Sequence, residues 1–280
     1  MSDTPKITLP SISILGTGSM GRAILGGLLA PGVTVEGAIR VTNRSAESAA
    51  QLPVDERLVS LVTADDPRAN LAAVEGAAIV LVAVKPAMVP DLLDEIAPAL
   101  APGTVIVSVA AGVSVATFEK HLPEGVPVIR SMPNTPAMVG RAITGVSAGT
   151  RSTPAQLDTA KRLFSTVGEV LEVDESQLDA LSTISGSGPA YVYLLIEKLT
   201  AAAVEKGFTS EQAALLVNST FIGATELLRQ SGKTPEELRI QVTSPKGTTE
   251  RALAVLQDAR LDTLFIQATD AALARARELA

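Results

Sequence analysis

The sequence predicts an α/β protein in two parts: a doubly wound parallel sheet over residues 1–173 and an all-helical region over residues 174–280. Three observations lead there. The apolar run Ile12-Ser13-Ile14-Leu15 is followed at once by Gly16-Thr17-Gly18-Ser19-Met20-Gly21, with glycine at the first, third and sixth places. Residues 77–84 and 104–110 are apolar without alternation, the mark of strands buried on both faces of a parallel sheet. Beyond Asp174 the strand pattern stops and capped helical periods take over.

G-x-G-x-x-G directly after a strand and before a helical pattern, here residues 22–30, is the turn of a dinucleotide-binding Rossmann sheet. Gly16 permits the tight turn, Gly18 lets backbone approach a pyrophosphate, and Gly21 lets the helix pack close to the strand. The free N–H groups and positive dipole end of that helix face the phosphates. Residues 38–43 read as the second strand and 58–64 as the third. Between the strands at 77–84 and 104–110 lies a helical period over 88–100, limited by Pro90 and Pro98. Residues 127–131 and 142–148 continue the sheet, joined by the proline-marked loop 132–136. Thr153, Pro154 and Gln156 supply N-cap, N1 and N3 of a helix to 167, and 169–173 closes the sheet. Strands alternating with helices make the sheet parallel and doubly wound.

In the second part, helices are expected over 176–184 and 189–206, the latter ended by Gly207. Thr209 with Gln212 forms a capping box for a helix reaching Arg229, before Gly232; Thr234, Pro235 and Glu237 start a short one. Residues 248–259 and 261–278 complete the set. Much of 190–228 is apolar round most of its circumference, so about a hundred residues must bury more surface than they can cover alone. A partner subunit supplying the missing surface is expected; one tightly packed monomeric bundle is the alternative.

Composition narrows the classes. Of 280 residues 46% are hydrophobic and 19% charged, as in a globular protein. The net charge of −7, with no basic cluster, argues against nucleic acid as a partner. No cysteine means no disulfide and no thiolate chemistry, and a single histidine, His121, excludes a multi-histidine metal site. His121 reads as a solvated helix-end residue before Pro123. Residues 1–11 lack the apolar core of a signal peptide, and no apolar run approaches membrane-spanning length. A cytoplasmic protein with no membrane partner is expected.

The tip of the second strand discriminates between dinucleotides. An NAD site places an acid there for the ribose 2′-hydroxyl, whereas this tip is Thr42-Asn43-Arg44-Ser45. Arg44 can pair with a 2′-phosphate through its planar fork, with Asn43 and Ser45 offering further hydrogen bonds, so NADPH is favoured over NADH. The alternative is a solvated arginine in a surface turn. Ala83, Val84, Lys85 and Pro86 end one central strand, and Ala110, Ala111 and Gly112 end the next, where ligands of open α/β sheets lie. Position alone leaves Lys85 either a base or a hydrogen-bond donor to ribose or backbone. In the helical part, residues 241–250 (QVTSPKGTTE) form a Ser/Thr/Gly-rich turn feeding a helix. It suits a carboxylate, with Thr248 or Thr249 adding a hydroxyl, and reads equally as an ordinary capped helix start.

Five motifs stand here in order: G-T-G-S-M-G, A-V-K-P, M-P-N-T-P, S-G-S-G-P-A-Y and V-T-S-P-K-G-T-T. Together they resemble the pyrroline-5-carboxylate reductase family, over residues 12–259. The resemblance implies a Rossmann domain followed by a helical domain that dimerises by interlocking, often assembling further into decamers. It implies NAD(P)H binding at Leu15, Gly16, Thr17, Gly18, Ser19 and Met20, and at Arg44, Asn70, Ala83–Pro86 and Ala110–Gly112. Glu175 matches a cofactor-side position. Gln241, Thr248 and Thr249 match positions that hold the substrate, Thr249 through its hydroxyl to the ring nitrogen, as the catalytic residue. The family usually has Gly-Gly where this chain has Lys246-Gly247, and some relatives carry Asn at the place of Gln241.

Other readings are open, among them another imine reductase on the same scaffold. A 3-hydroxyacid-type dehydrogenase needs a lysine in a G-x-G-x-x-x-K stretch, and counting from Gly186 that place holds Val192. A non-catalytic NADP(H)-binding protein has no need of the motif around Thr249.

Overall fold

The computed structural model describes residues 6–279, so the part of residues 1–11 before Lys6 lies outside the described residues. The chain begins with β1 (Ile7–Leu9), β2 (Ile12–Leu15), α1 (Ser19–Leu28), β3 (Val33–Val35), β4 (Ile39–Asn43) and α2 (Ala46–Ala49). It continues with β5 (Leu58–Val62), α3 (Ala69–Val74), β6 (Ile79–Val82), α4 (Val89–Ile96), β7 (Val105–Ser108) and α5 (Val115–His121). Then come β8 (Val128–Met132), β9 (Ala142–Ala148), α6 (Pro154–Phe164), β10 (Gly168–Glu172) and α7 (Leu178–Leu181).

Eight strands form one sheet in the order β10-β9-β8-β7-β6-β2-β4-β5. Six of them, β5-β4-β2-β6-β7-β8, run parallel in the doubly wound 3-2-1-4-5-6 order of dinucleotide-binding sheets. The strand order therefore reverses between β2 and β6, where Leu15 pairs with Val82. The expectation of a wholly parallel sheet needs one correction. β9 runs antiparallel to β8 and carries β10 with it, because residues 133–141 are too few for a crossover helix. β10 and β5 are the two edges.

Side chains of the central strands alternate between two cores, one on each face. Ile12, Ile14, Ile79, Leu81 and Val107 pack with Ile24 and Leu28 of α1 and with Leu163 and Phe164 of α6. Leu15, Val80, Val82 and Ile106 pack with Leu93 and Ile96 of α4 and Phe118 of α5. β2, β6 and β7 are buried along their whole length, which is why their sequences show runs and no alternation. β1 and β3, not expected, form a separate two-stranded parallel sheet.

The helical period expected over 176–184 is divided. A 3₁₀ turn (Glu175–Gln177) leads into α7, and a wide π turn (Ser182–Gly186) follows. Residues up to Ser187, with the end of the last helix from Leu273, group into one compact unit, and Gly188–Ala272 into a second. The change of sequence pattern at 173/174 and this packing division mark different points of the chain.

The second unit holds α8 (Gly188–Glu205), α9 (Ser210–Ser231), α10 (Pro235–Gln241), α11 (Thr248–Asp258) and α12 (Leu261–Leu279) up to Ala272. The expected capping boxes are present at Thr209/Gln212 and Thr234/Glu237. Hydrogen bonds from the Thr234 backbone N–H and hydroxyl hold the Glu237 carboxyl below the usual range. Within α9 only Ala213 and Val217 are buried, while Leu215 and Ile222 are each 69% exposed. No helix among the described residues is long and apolar enough to cross a membrane.

Candidate active site

The turn from β2 to α1 is fixed by neighbours on both sides. Gly16 has φ +95°, and a Cβ there would lie 2.9 Å from the Ala83 carbonyl oxygen. Gly21 would place a Cβ 2.3 Å from the Gly16 carbonyl oxygen, so α1 sits directly against the turn it leaves. Gly18 differs from both: its φ is −66°, which any residue adopts, and a Cβ would meet nothing within 4 Å. Neither conformation nor packing asks for glycine there; approach of a ligand to the backbone does. Gly18 is also the N-cap of α1 and offers no side-chain cap, so the first N–H groups are free of an internal acceptor. An open, uncapped helix start at the reversal of strand order fits a pyrophosphate.

Beside this turn lies a cleft of about 770 Å³. Its walls include Gly16, Thr17 and Gly18, then Asn43 and Arg44, then Asn70, Ala83, Val84 and Lys85. Arg44 is exposed and makes no hydrogen bond or ion pair among the described residues, as suits a 2′-phosphate partner. Asn43 is 2% exposed, its side chain accepting from the Thr17 hydroxyl and donating to Ser60 Oγ at 2.9 Å. These two bonds hold the strand tip in place. The Ser45 hydroxyl caps α2, accepting from the Ser48 N–H at 3.3 Å. Asn70 donates to the Glu95 carboxylate at 3.1 Å across the far wall. Arg22, which motif reading passes over, lines the same cleft.

Other expected cofactor residues adjoin this cleft or lie beyond its lining. The Leu15 side chain is fully buried, and its carbonyl accepts the Ala83 N–H. Ser19 and Met20 begin α1, and Ser19 faces a neighbouring groove with Gly26 and Thr166. Pro86 opens a 3₁₀ turn (Pro86–Met88) beside Lys85. Ala110, Ala111 and Gly112 follow β7, Gly112 at φ +74°. Glu175, expected on the cofactor side, uses Oε1 to accept the Val115 N–H of α5 at 2.7 Å and to pair with Arg130 at 3.2 Å. Arg130 is 8% exposed and also pairs with Asp179 at 2.7 Å, so the two acids neutralise a buried guanidinium. The M-P-N-T-P motif serves as a brace: Asn134 donates to the Ser185 carbonyl and accepts the Ile143 N–H. His121 ends α5 as expected, with Asp94 of α4 as its partner at 2.7 Å.

The second cluster belongs to the helical unit. Gln241 is the exposed last residue of α10. Gly247 is the N-cap of α11 and gives no side-chain cap, leaving the N–H groups of its first turn for an outside acceptor. Thr248 is exposed and Thr249 half-buried, and neither hydroxyl has a partner among the described residues. Lys246 has φ +60°, a left-handed conformation that favours glycine, and its N–H donates to Glu250 Oε2 at 2.9 Å. Among the described residues no group of three His, Cys, Asp or Glu could hold a metal ion.

Residues 175–279 match the family described as pyrroline-5-carboxylate reductase dimerisation, and residues 11–112 the family described as NADP oxidoreductase, coenzyme F420-dependent. The pyrroline-5-carboxylate reductase of Corynebacterium melassecola is 39% identical, over 97% of this chain and 99% of the relative. A solved pyrroline-5-carboxylate reductase from Coxiella burnetii is similar at TM-score 0.88 and 35% identity, over 96% of this chain and 98% of that one. The Plasmodium falciparum pyrroline carboxylate reductase, solved with NADP bound, is similar at TM-score 0.77, over 96% and 97% of the two chains. At 24% identity, that last likeness speaks for the fold.

Proposed function

The chain belongs to the pyrroline-5-carboxylate reductase family, and from that premise we propose how its residues divide the work. The protein is an NAD(P)H-dependent oxidoreductase acting on a C=N bond, reducing 1-pyrroline-5-carboxylate to L-proline in proline synthesis. Its cofactor is NADP(H). The observation that carries the residue-level reading is Gly18, open where neither backbone nor packing requires glycine, on an uncapped helix start.

Bound in the cleft, NADPH supplies a hydride for C5 of the cyclic imine. The N–H groups at the start of α1 hold the pyrophosphate. Arg44 pairs with the 2′-phosphate, while Thr17 and Asn43 fix the strand tip beneath it. Ala83, Val84, Lys85 and Pro86 form the ribose wall, with the Lys85 ammonium as a hydrogen-bond donor. Ala110, Ala111 and Gly112 keep the next strand end small enough for the nicotinamide. Glu175 acts indirectly, by holding the start of α5.

In the helical unit, the N–H groups of Thr248 and Thr249 hold the substrate carboxylate, and Gln241 lends its amide. The Thr249 hydroxyl holds the ring nitrogen, which takes its proton from solvent to form the iminium before C5 receives hydride, so that the addition yields the secondary amine directly. An iminium accepts hydride readily, so orientation is the protein's main contribution and a strong acid is not required. Self-association runs through the helical part, as a homodimer able to assemble further into decamers, with the functional division at 173/174. We place the reaction in the cytoplasm, where NADPH is kept reduced. Spectrophotometric oxidation of NADPH on addition of pyrroline-5-carboxylate is the test. Turnover dependent on that substrate is expected, and its absence in folded protein would overturn the reading.

A further inference from the structure

We infer that Arg22 is a second cation for the 2′-phosphate of NADPH, completing with Arg44 a two-arginine clamp; this rests on the cofactor reading above. Arg22 lies in α1 and is half-buried. Its guanidinium is held at three points: Nε donates to the Thr17 carbonyl at 2.7 Å, Nη1 to Gln51 Oε1 at 2.5 Å and Nη2 to Ser48 Oγ at 3.3 Å. All three acceptors are neutral, and no carboxylate lies within salt-bridge distance among the described residues. A guanidinium carries five N–H donors, so two remain. A half-buried charge facing only neutral partners gains most from an anion.

The position of the fork selects which anion. Ser48 and Gln51 belong to the segment that Arg44 and Ser45 lead into, so Arg22 is drawn from the pyrophosphate turn toward the second strand's tip. Arg22, Arg44, Asn43 and Ser48 line one cleft. Its acids are Asp91 and Glu95, and Glu95 is tied to Asn70. One arginine thus presents an unpaired fork just beyond β4 while the other is pinned on α1.

The test uses 2′,5′-ADP and 5′-AMP as probes, which differ by the 2′-phosphate alone. Calorimetric titration of Arg22→Gln is expected to weaken 2′,5′-ADP binding tenfold or more and 5′-AMP binding less than twofold. Arg44→Ala should show the same split, and Arg22→Lys, which keeps charge without the fork, an intermediate loss. Equal weakening of both probes, or none, in a variant that melts like the parent would overturn the clamp. If Arg22→Gln does not fold, a crystal structure of the wild-type protein with 2′,5′-ADP decides. Arg22 within hydrogen-bond reach of the 2′-phosphate supports the clamp, and Arg22 out of reach overturns it. Failure of wild-type protein to bind NADPH would instead remove the cofactor reading, and the clamp with it.

Discussion

In β6, Val80, Leu81 and Val82 are fully buried between neighbouring strands, whereas in α9 Leu215 and Ile222 stand 69% exposed. Both segments carry large apolar side chains. The central strands of the sheet unit use their apolar residues against its own helices, on two faces, although Met138 and Val139 outside the strands stand exposed. The helical unit does not: Tyr193, Leu194, Val255 and Ile266 are also more than half exposed. Large apolar side chains exposed on several helices of one unit fit the dimerisation family that this part of the chain matches. Apolar side chains therefore have two roles in one chain, folding in the first unit and self-association in the second.

The sharpest way to break that contrast is a charge on α9. Ile222→Asp at an ordinary exposed position would change stability by less than about 0.5 kcal/mol. If a second copy covers this face, burying an unpaired carboxylate costs several kcal/mol, and sedimentation should show dissociation with the sheet unit still folded. Unchanged assembly would show that Ile222 faces water. Leu81→Ala probes the other side of the comparison. It should cost about 2–5 kcal/mol of stability, read in denaturant, because a central strand cannot collapse onto the cavity.

Function can be divided in the same way. Thr249→Val removes one hydroxyl in the helical unit and keeps volume. We expect kcat/KM to fall roughly ten- to a hundredfold, about 1.4–2.7 kcal/mol, with NADPH affinity unchanged. Normal kinetics with lowered thermal stability would make Thr249 a packing residue. The smallest expected effect is at Lys246. Replacement by glycine relieves the left-handed strain at φ +60° but loosens the unfolded chain, for a net gain under about 1 kcal/mol in thermal melts. A clear loss of stability would mean that the lysine side chain contributes a contact of its own.

Legibility in the sequence followed how local each requirement is. Gly16 and Gly21 answer to atoms within the turn and the adjoining strand end, so spacing alone reveals them. β6 and β7 announce themselves because burial on both faces leaves no alternation. β1 and β3 have three residues each, too short for a period to emerge. The reversal of β9 depends on the length of one loop. Arg22 becomes interpretable only when the fold sets it against Ser48 and Gln51, 26 and 29 residues away. Glu175 carries a role that motif matching does not reveal: one of its carboxylate oxygens accepts the N–H at the start of α5, sixty residues earlier in the chain. The Lys246 departure was visible in sequence, while the backbone conformation that makes it costly was not.

The edge strand β10 has a consequence for how copies of the chain do not meet. An open sheet offers its unpaired rim to any passing strand, and such rims seed fibres. β10 carries Glu169 and Glu172 on a five-residue rim, with Lys161 of α6 paired to Glu172. A second β10 approaching that rim would meet charged side chains at two of its five positions and would have to desolvate them. Strand-to-strand polymerisation is thereby discouraged at the border where the sheet would otherwise extend.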